Sequence, residues 1–251
     1  VADNVNTMIQ RLLVDAGIVT GMRVVDIGCG NGEVSLLLAK LVGESGEVIG
    51  LDQDEKSLTA ARERIHPQNF PNVSFIKCDL SGPLPELAPF DAVVGRRVLM
   101  YLPNPVDTIR RITKALRPGG LAVFQESDST LVPGRRVSMP LHEHVSRWIW
   151  KTVECEGGDI HIGFALQSLL EQSGLIVEHV RAEAVIQGQN THYPLAFIVR
   201  AMLPRIIRHG VANEAEIDIE TLEQRLTAER MAANSIYVSD MAFGVFARKP
   251  F

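Results

Sequence analysis

The sequence predicts a doubly wound α/β fold: a mostly parallel seven-stranded sheet with an antiparallel edge strand and a helical cap. Three observations carry this. Short apolar runs, nearly continuous rather than alternating, recur through the first half, as strands do when helices cover both faces of a parallel sheet. Segments with apolar residues at helical spacing separate them, which is the strand–helix rhythm of a doubly wound domain. Finally, glycines at 28, 30 and 32 stand between the first apolar run and the first long helix, where a backbone must approach a ligand closely.

Taken in order, "MRVVDIG" (22–28), "GEVIGLD" (46–52), "VSFIKCD" (73–79), "FDAVVGR" (90–96) and "GLAVFQES" (120–127) read as five buried strands. Between them, "EVSLLLAKLV", "EKSLTAARERI" and "PVDTIRRITKAL" read as helices. In the last, Val106, Ile109, Ile112 and Leu116 form a stripe, and "RPGG" stops it. After Ser127 the rhythm breaks. "MPLHEHVSRWIWKTVE" and "IGFALQSLLEQSG" predict two helices, the second ending at Gly174, and 175–188 and 235–249 predict two strands paired antiparallel at a sheet edge. The segment between those strands is helical, with Pro204 a kink or break and Asn213 with Glu216 a capping box. Its length and its apolar stretch 195–207 read as a cap. The expected organisation is therefore a cofactor-binding part with N-terminal helices over 1–128, a helical insertion over 129–174, and the last two strands over 175–251, with the cap at about 190–233.

Composition narrows the function classes. A formal net charge of −5, without aromatic residues interleaved with Lys and Arg, argues against a nucleic-acid partner. No apolar run approaches the roughly 20 residues that span a bilayer. The amphipathic N-terminus lacks a signal pattern, and it begins at Val1 rather than Met, as a processed or trimmed chain would. Cys29, Cys78 and Cys155 are odd in number and unpaired in spacing, so neither a disulfide framework nor a zinc site is predicted. A soluble, reduced, cytoplasmic protein without membrane attachment is expected, with a homodimer allowed.

The glycine turn identifies the class of ligand. A nicotinamide-type turn places its third glycine three residues after the second, where this chain has Glu33. An acid there also repels a pyrophosphate at the helix N-terminus, and no Gly-Lys-Ser/Thr of a Walker loop follows. Asp52 lies about 20 residues beyond Gly32, where a carboxylate accepts hydrogen bonds from ribose hydroxyls. Asp79 closes the third strand on the same sheet edge, in position to accept from an exocyclic adenine amine. Together these features specify a nucleoside carrying little phosphate.

Residues 22–128 resemble the class I S-adenosylmethionine-dependent methyltransferases of small-molecule type. "VVDIGCGNG" resembles the first motif of that family, "VIGLD" the second and "CDL" the third. "FDAVVGRRVLMYLPNP" is similar to its fourth-strand motif and "ALRPGGLAVFQESD" to the entry into the fifth strand. The resemblance implies S-adenosyl-L-methionine as cofactor. It implies that Gly28, Gly30 and Gly32 face the methionine moiety and that Asp26 orders the turn or reaches the amino group. It further implies that Asp52, with Gln53 beside it, holds the ribose, that Asp79 and the Leu80 backbone frame adenine, and that Gly95–Arg96 touches the methionine end. Tyr101 departs from the pattern, standing where family members often carry histidine.

Other residues divide between packing and chemistry. Asp91, Cys29 and Cys78 read as structural. His142 and His144 are two apart on a helix, about 200° around its axis, so they cannot chelate one metal together, and no metal site is expected. The same geometry separates Trp148 from Trp150 and leaves open which faces inward. Arg96, Arg97, Glu126 and Asp128 sit at the carboxyl edge of the sheet, and His192–Tyr193 enter the apolar helix. As a general base we expect His144 or His192, with Glu126 or Arg97 orienting the acceptor. The expected reaction is O- or C-methylation of a mostly apolar small molecule such as a polyketide, quinone or terpenoid. Two alternatives remain: a protein that binds the same cofactor but promotes a cyclisation or rearrangement, and a methyltransferase acting on RNA or protein. A nicotinamide oxidoreductase is disfavoured by Glu33.

Overall fold

The computed structural model describes residues 4–66 and 70–251, with side chains from Thr7 onward. The chain forms two compact units. The first comprises Ile9–Glu126, Phe164–Arg181 and Phe243–Phe251; the second comprises Ser127–Gly163 and Ala182–Ala242, with residues 4–8.

The first unit holds the predicted α/β layers. Its parallel strands are β1 (Arg23–Ile27), β2 (Glu47–Asp52), β3 (Val73–Lys77), β4 (Phe90–Arg96) and β5 (Leu116–Asp128, to Glu126 in this unit). They lie in the order β3-β2-β1-β4-β5. Register is explicit: Asp26 of β1 stands beside Gly50 of β2 and Val94 of β4, and Arg96 stands beside Gln125 of β5. Burial along β1, β2 and β4 is nearly unbroken, because helices cover both faces. On one face, Ile9, Leu12 and Leu13 of α1 (Asn4–Ala16) and Val34 and Leu38 of α2 (Glu33–Val42) pack on Val24, Val94 and Val123. Helix α3 (Glu55–Ile65) follows β2 and is capped by Asp54, which accepts from the Lys56 and Ser57 amides.

Two expected boundaries shift. The helix predicted over 105–116 is α4, Pro105–Ile112; Leu116 instead opens β5, beside Phe90. "RPGG" lies inside the extended segment and does not terminate the helix, and the register shift between Phe90 and Ala92 absorbs the irregularity. Helix α6 (Ile162–Gln172), expected in an insertion, belongs almost wholly to the sheet unit: Arg110 donates to the Gln172 carbonyl at 2.5 Å and Ser173 to that of Val106 at 3.3 Å.

The last two long strands, β7 (Ile176–Gln187) and β8 (Tyr237–Arg248), pair as expected, with β8 beside β5. The described residues contain eight strands, not seven. The extra one, β6 (Gly134–Arg135), pairs antiparallel with Val238 and Tyr237 in the second unit and is too short to leave a sequence pattern. Apart from β6 and the parts of β7 and β8 that fall within it, that unit is mainly helical. Helices α5 (Pro140–Cys155), α7 (Leu195–Arg208) and α9 (Leu222–Ala233) pack on one another, and the short α8 (Glu214–Ile217) starts on Asn213, which accepts from the Glu216 amide. α7 continues through Pro204 rather than breaking there. No helix among the described residues is long and apolar enough to cross a membrane.

Candidate functional site

At the carboxyl ends of the strands, the glycine turn opens on a cavity of about 230 Å³ lined by Asp26, Gly28, Cys29, Gly30, Asn31, Val34, Arg96, Arg97 and Tyr101. A larger cavity, about 460 Å³, lies around Arg23, Glu47 and Val73 at the strands' amino ends. Open α/β sheets bind ligands at the carboxyl edge, so the smaller cavity is the candidate.

The three glycines serve three different needs. At Gly28 an added Cβ would overlap the Val98 side chain. At Gly32, the residue before α2, it would stand 3.0 Å from the Ala61 Cβ, so this position lets α3 pack against the turn. At Gly30 it would meet nothing within 4 Å, yet φ is +52°, a left-handed conformation that suits glycine. Gly30 therefore presents bare backbone to open space. That is the cradle a close-lying ligand needs.

Two carboxylates fix this turn. Asp52 accepts from the Gly30 amide through Oδ2 at 2.8 Å and from the Asp54 amide through Oδ1 at 2.9 Å. A carboxylate offers about four lone-pair directions, so Asp52 retains capacity for ribose hydroxyls. Asp26 is 1% exposed and accepts from the Ser35 hydroxyl at 2.6 Å. Burial pushes its pKa up to about 7, against the opposing pull of Ser35 and the Arg96 charge. Asp26 thus ties β1 to α2 while lining the cavity.

Glu33 is paired with Arg96 at 2.6 Å and lies 3.9 Å from Arg64. Burial opposes its ionisation, but the Arg96 hydrogen bond and charge hold its carboxyl below the usual range. Its charge is therefore largely matched, and the charge argument against a pyrophosphate weakens to one of glycine spacing. For the same reason Arg96, expected at the methionine end, spends a guanidinium nitrogen on Glu33 while still lining the cavity. Arg97 also lines it, at a non-glycine φ of +52°, its amide donating to the Gln125 carbonyl at 2.8 Å.

Other expected residues are placed differently. Gly95 makes room for protein: a Cβ there would stand 2.8 Å from Val98 and 2.9 Å from Phe124. Asp79 is exposed, with Oδ1 accepting from the Ser81 amide at 2.8 Å, and Gln53 is exposed beside Asp52. Leu80 is buried, its carbonyl accepting from Arg111 at 2.5 Å. Glu126, expected to orient an acceptor, is turned inward and fully buried. Its Oε1 accepts from the Val98 and Leu99 amides at 3.0 and 2.8 Å, capping the 3-10 turn Leu99–Tyr101. Burial raises its pKa to about 7, and Oε2 has no hydrogen-bond partner among the described residues.

In the second unit, His144 is exposed and stacks on Trp148, ring centroids 6.3 Å apart. His192 is half-buried in the loop before α7. Trp148 is buried and Trp150 half-buried. It is His142, two residues from His144, that is fully enclosed. Asp128, expected at the sheet edge, is also fully buried and belongs to this unit.

Three expected structural residues are so placed. Asp91 accepts from the Arg23 amide at 2.8 Å and pairs with Arg117. Burial, with Asp26 and Asp52 nearby, raises the Cys29 thiol far above its ordinary value, and burial also raises that of Cys78. No cluster of three metal-ligating side chains occurs among the described residues. Sequence reasoning missed Asn31, Ser35 and Val98. Ser35, a hydroxyl in an otherwise apolar helix, was the one available signal.

A family model described as "Methyltransferase domain" matches residues 18–195. Trans-aconitate 2-methyltransferase of Rhizobium rhizogenes is 35% identical over 111 residues, covering 44% of this chain and 41% of that protein. Demethylmenaquinone methyltransferase of Staphylococcus aureus is 30% identical over 124 residues, covering 49% and 51%. The chain thus spans about half the length of the curated relatives it matches, or less. Among solved structures, a geranyl diphosphate methyltransferase in complex with S-adenosylmethionine superposes with a TM-score of 0.58 at 14% identity, covering 97% of this chain and 85% of that one. The [4+2]-cyclase SpnF superposes with a TM-score of 0.60 at 18% identity, covering 98% and 80%. These two share the fold.

Proposed function

From the premise that the chain belongs to the class I S-adenosylmethionine-dependent methyltransferases, with S-adenosylmethionine as cofactor, we propose that it methylates a mostly apolar small molecule at oxygen or carbon. The observation that carries the cofactor's placement is the open backbone at Gly30 beside Asp52, with Asp26 fixed behind it. In this reading the turn 28–32 lies against the methionine part, Asp52 and Gln53 hold the ribose, and Asp79 with the Leu80 backbone frames adenine. Arg96 and Arg97 flank the methionine end. When bound, the cofactor supplies an electrophilic methyl group on a sulfonium. The protein contributes alignment and exclusion of water, the main requirements of an in-line displacement whose charge disperses.

The small-molecule part draws support from the relatives, whose names give trans-aconitate and demethylmenaquinone as acceptors. The apolar part draws on the helical unit. The stripe Leu195, Val199, Met202 and Ile206 of α7 builds an apolar interior, and Phe197 is 63% exposed. A net charge of −5 disfavours an RNA acceptor. Because a cyclase shares the fold, the deciding experiment reads product mass. The protein is incubated with S-adenosylmethionine and a panel of quinones, phenols and polyketides. The expected product is heavier by one CH2, a methyl group having replaced a proton released to solvent, with S-adenosylhomocysteine formed in equal amount; rearranged products of unchanged mass would assign the cyclase alternative.

A further inference from the structure

Asp26 ends one face of β1 at its carboxyl end. It follows Val24 on that face, where α1 packs Ile9, Leu12 and Leu13 and α2 packs Val34 and Leu38. It is 1% exposed, yet it lines the cavity of about 230 Å³ at the glycine turn. A tie between β1 and α2 explains its bond to the Ser35 hydroxyl at 2.6 Å, but not the choice of an acid. A carboxyl buried this deeply ionises only where a cation matches it.

The groups around Asp26 supply that match only in part. Arg96 of β4, the neighbouring cation, donates Nη2 to Glu33 of α2 at 2.6 Å, so a second acid shares its charge. Arg97, next in the chain, lines the cavity, and its charge bears on Glu33 and Glu126. Asp52 of β2 adds a like charge, itself held by the Gly30 and Asp54 amides. Cys29 in the turn is kept a neutral thiol by burial and by the two aspartates. Burial accordingly pushes Asp26 up to about 7, against the pull of Ser35 and Arg96 and with the push of Asp52. A carboxyl so placed keeps its proton until a further cation enters the cavity.

We propose that Asp26 is a proton-linked counter-ion for the ammonium of the cofactor's amino-acid end: a carboxylic acid in the free protein, a carboxylate in the complex, its proton passing to solvent on binding. Ser35 is the residue that positions it. This rests on the cofactor reading of the preceding subsection and adds to it a regulation of that site by pH. Below about pH 7 each ligand bound must expel a proton, so affinity weakens roughly tenfold per pH unit as pH falls. Above that pH the acid is already ionised and the affinity is level.

The test counts the proton. S-Adenosylhomocysteine is titrated calorimetrically into the full chain at about pH 6, one unit below the expected midpoint, in phosphate and in bis-Tris, whose ionisation enthalpies differ. Most of one proton should be released per ligand bound. Methylthioadenosine, which keeps the nucleoside but lacks the ammonium, should bind without release. Asp26→Asn should abolish the release, and Ser35→Ala, which removes a hydrogen bond to the ionised form, should move its midpoint to higher pH. In the free protein the carboxyl ¹³C signal of Asp26, assigned by its loss in Asp26→Asn or its displacement in Ser35→Ala, should titrate near neutrality. A free-protein titration near the ordinary value of about 4 would overturn the proposal. So would the absence of release, equal release with methylthioadenosine, release that survives in Asp26→Asn, or a midpoint that Ser35→Ala leaves in place; Asp26 would then be a tie between β1 and α2. The ¹³C titration needs no ligand, so its failure is distinguishable from a failure of S-adenosylhomocysteine to bind, which would overturn the cofactor reading and the proposal with it.

Discussion

Glycines 28, 30 and 32 look equivalent in sequence, yet substitution should separate them. Gly30→Ala carries the cost of a left-handed alanine, about 1–2 kcal/mol, but displaces no neighbour. We therefore expect a modest fall in stability and roughly a tenfold loss of S-adenosylhomocysteine affinity, about 1.4 kcal/mol. Gly28→Ala adds overlap with Val98, a further ~1–3 kcal/mol of overpacking, so its melting temperature should fall well below that of Gly30→Ala. Melting curves and calorimetry on the two variants check the order. Glu126 makes a second residue-level prediction. Its folded pKa of about 7 exceeds its ordinary 4.5, so the native state keeps a proton that the unfolded chain releases. Stability from this group is full below about pH 4.5, declines by up to about 3 kcal/mol as pH rises to 7, and is level above. Asp26 acts in the same direction from its ordinary 3.8. Glu126→Gln should therefore flatten, but not abolish, the fall in urea midpoint between pH 4.5 and 7.5; an unchanged slope would show that the carboxyl does not carry this proton.

At the scale of elements, what was legible was local. Strands β1, β2 and β4 announced themselves by unbroken apolar runs, and Asn213 by its capping pattern. What was not legible depended on pairing. Leu116 continues the stripe of α4 at helical spacing, but its contact is with Phe90 across a strand ladder, and that tertiary register overrode the periodicity. The direction of Glu126 depended on an amide turn 27 and 28 residues upstream, and the Arg96–Glu33 pair on residues 63 apart. Pro204 was expected to bend or end a helix. α7 carries it instead on an exposed face, at the cost of the hydrogen bond its missing N–H would make to the preceding turn. Pro204→Ala should raise stability by about 1–3 kcal/mol, less what the freer unfolded chain takes back. Chemical denaturation measures it, and a loss of stability would mean that the ring contributes packing in α7.

For the molecule as a whole, the candidate cofactor site was readable because its parts sit in four short stretches, each at the carboxyl end of a strand. The helical unit gave no such reading. Its buried polar pairs join residues far apart in sequence, and the burial of His142 rather than His144 showed only once α5 had a buried side. The central claim is that the turn at Gly30 and the carboxylate of Asp52 hold S-adenosylmethionine. Calorimetric titration with S-adenosylhomocysteine, beside NAD and repeated on Asp52→Ala, tests it most directly. The account predicts binding of S-adenosylhomocysteine alone, weakened at least roughly tenfold in the variant, about 1.4 kcal/mol. Binding of NAD in its place, or an affinity that Asp52→Ala leaves untouched, would contradict it.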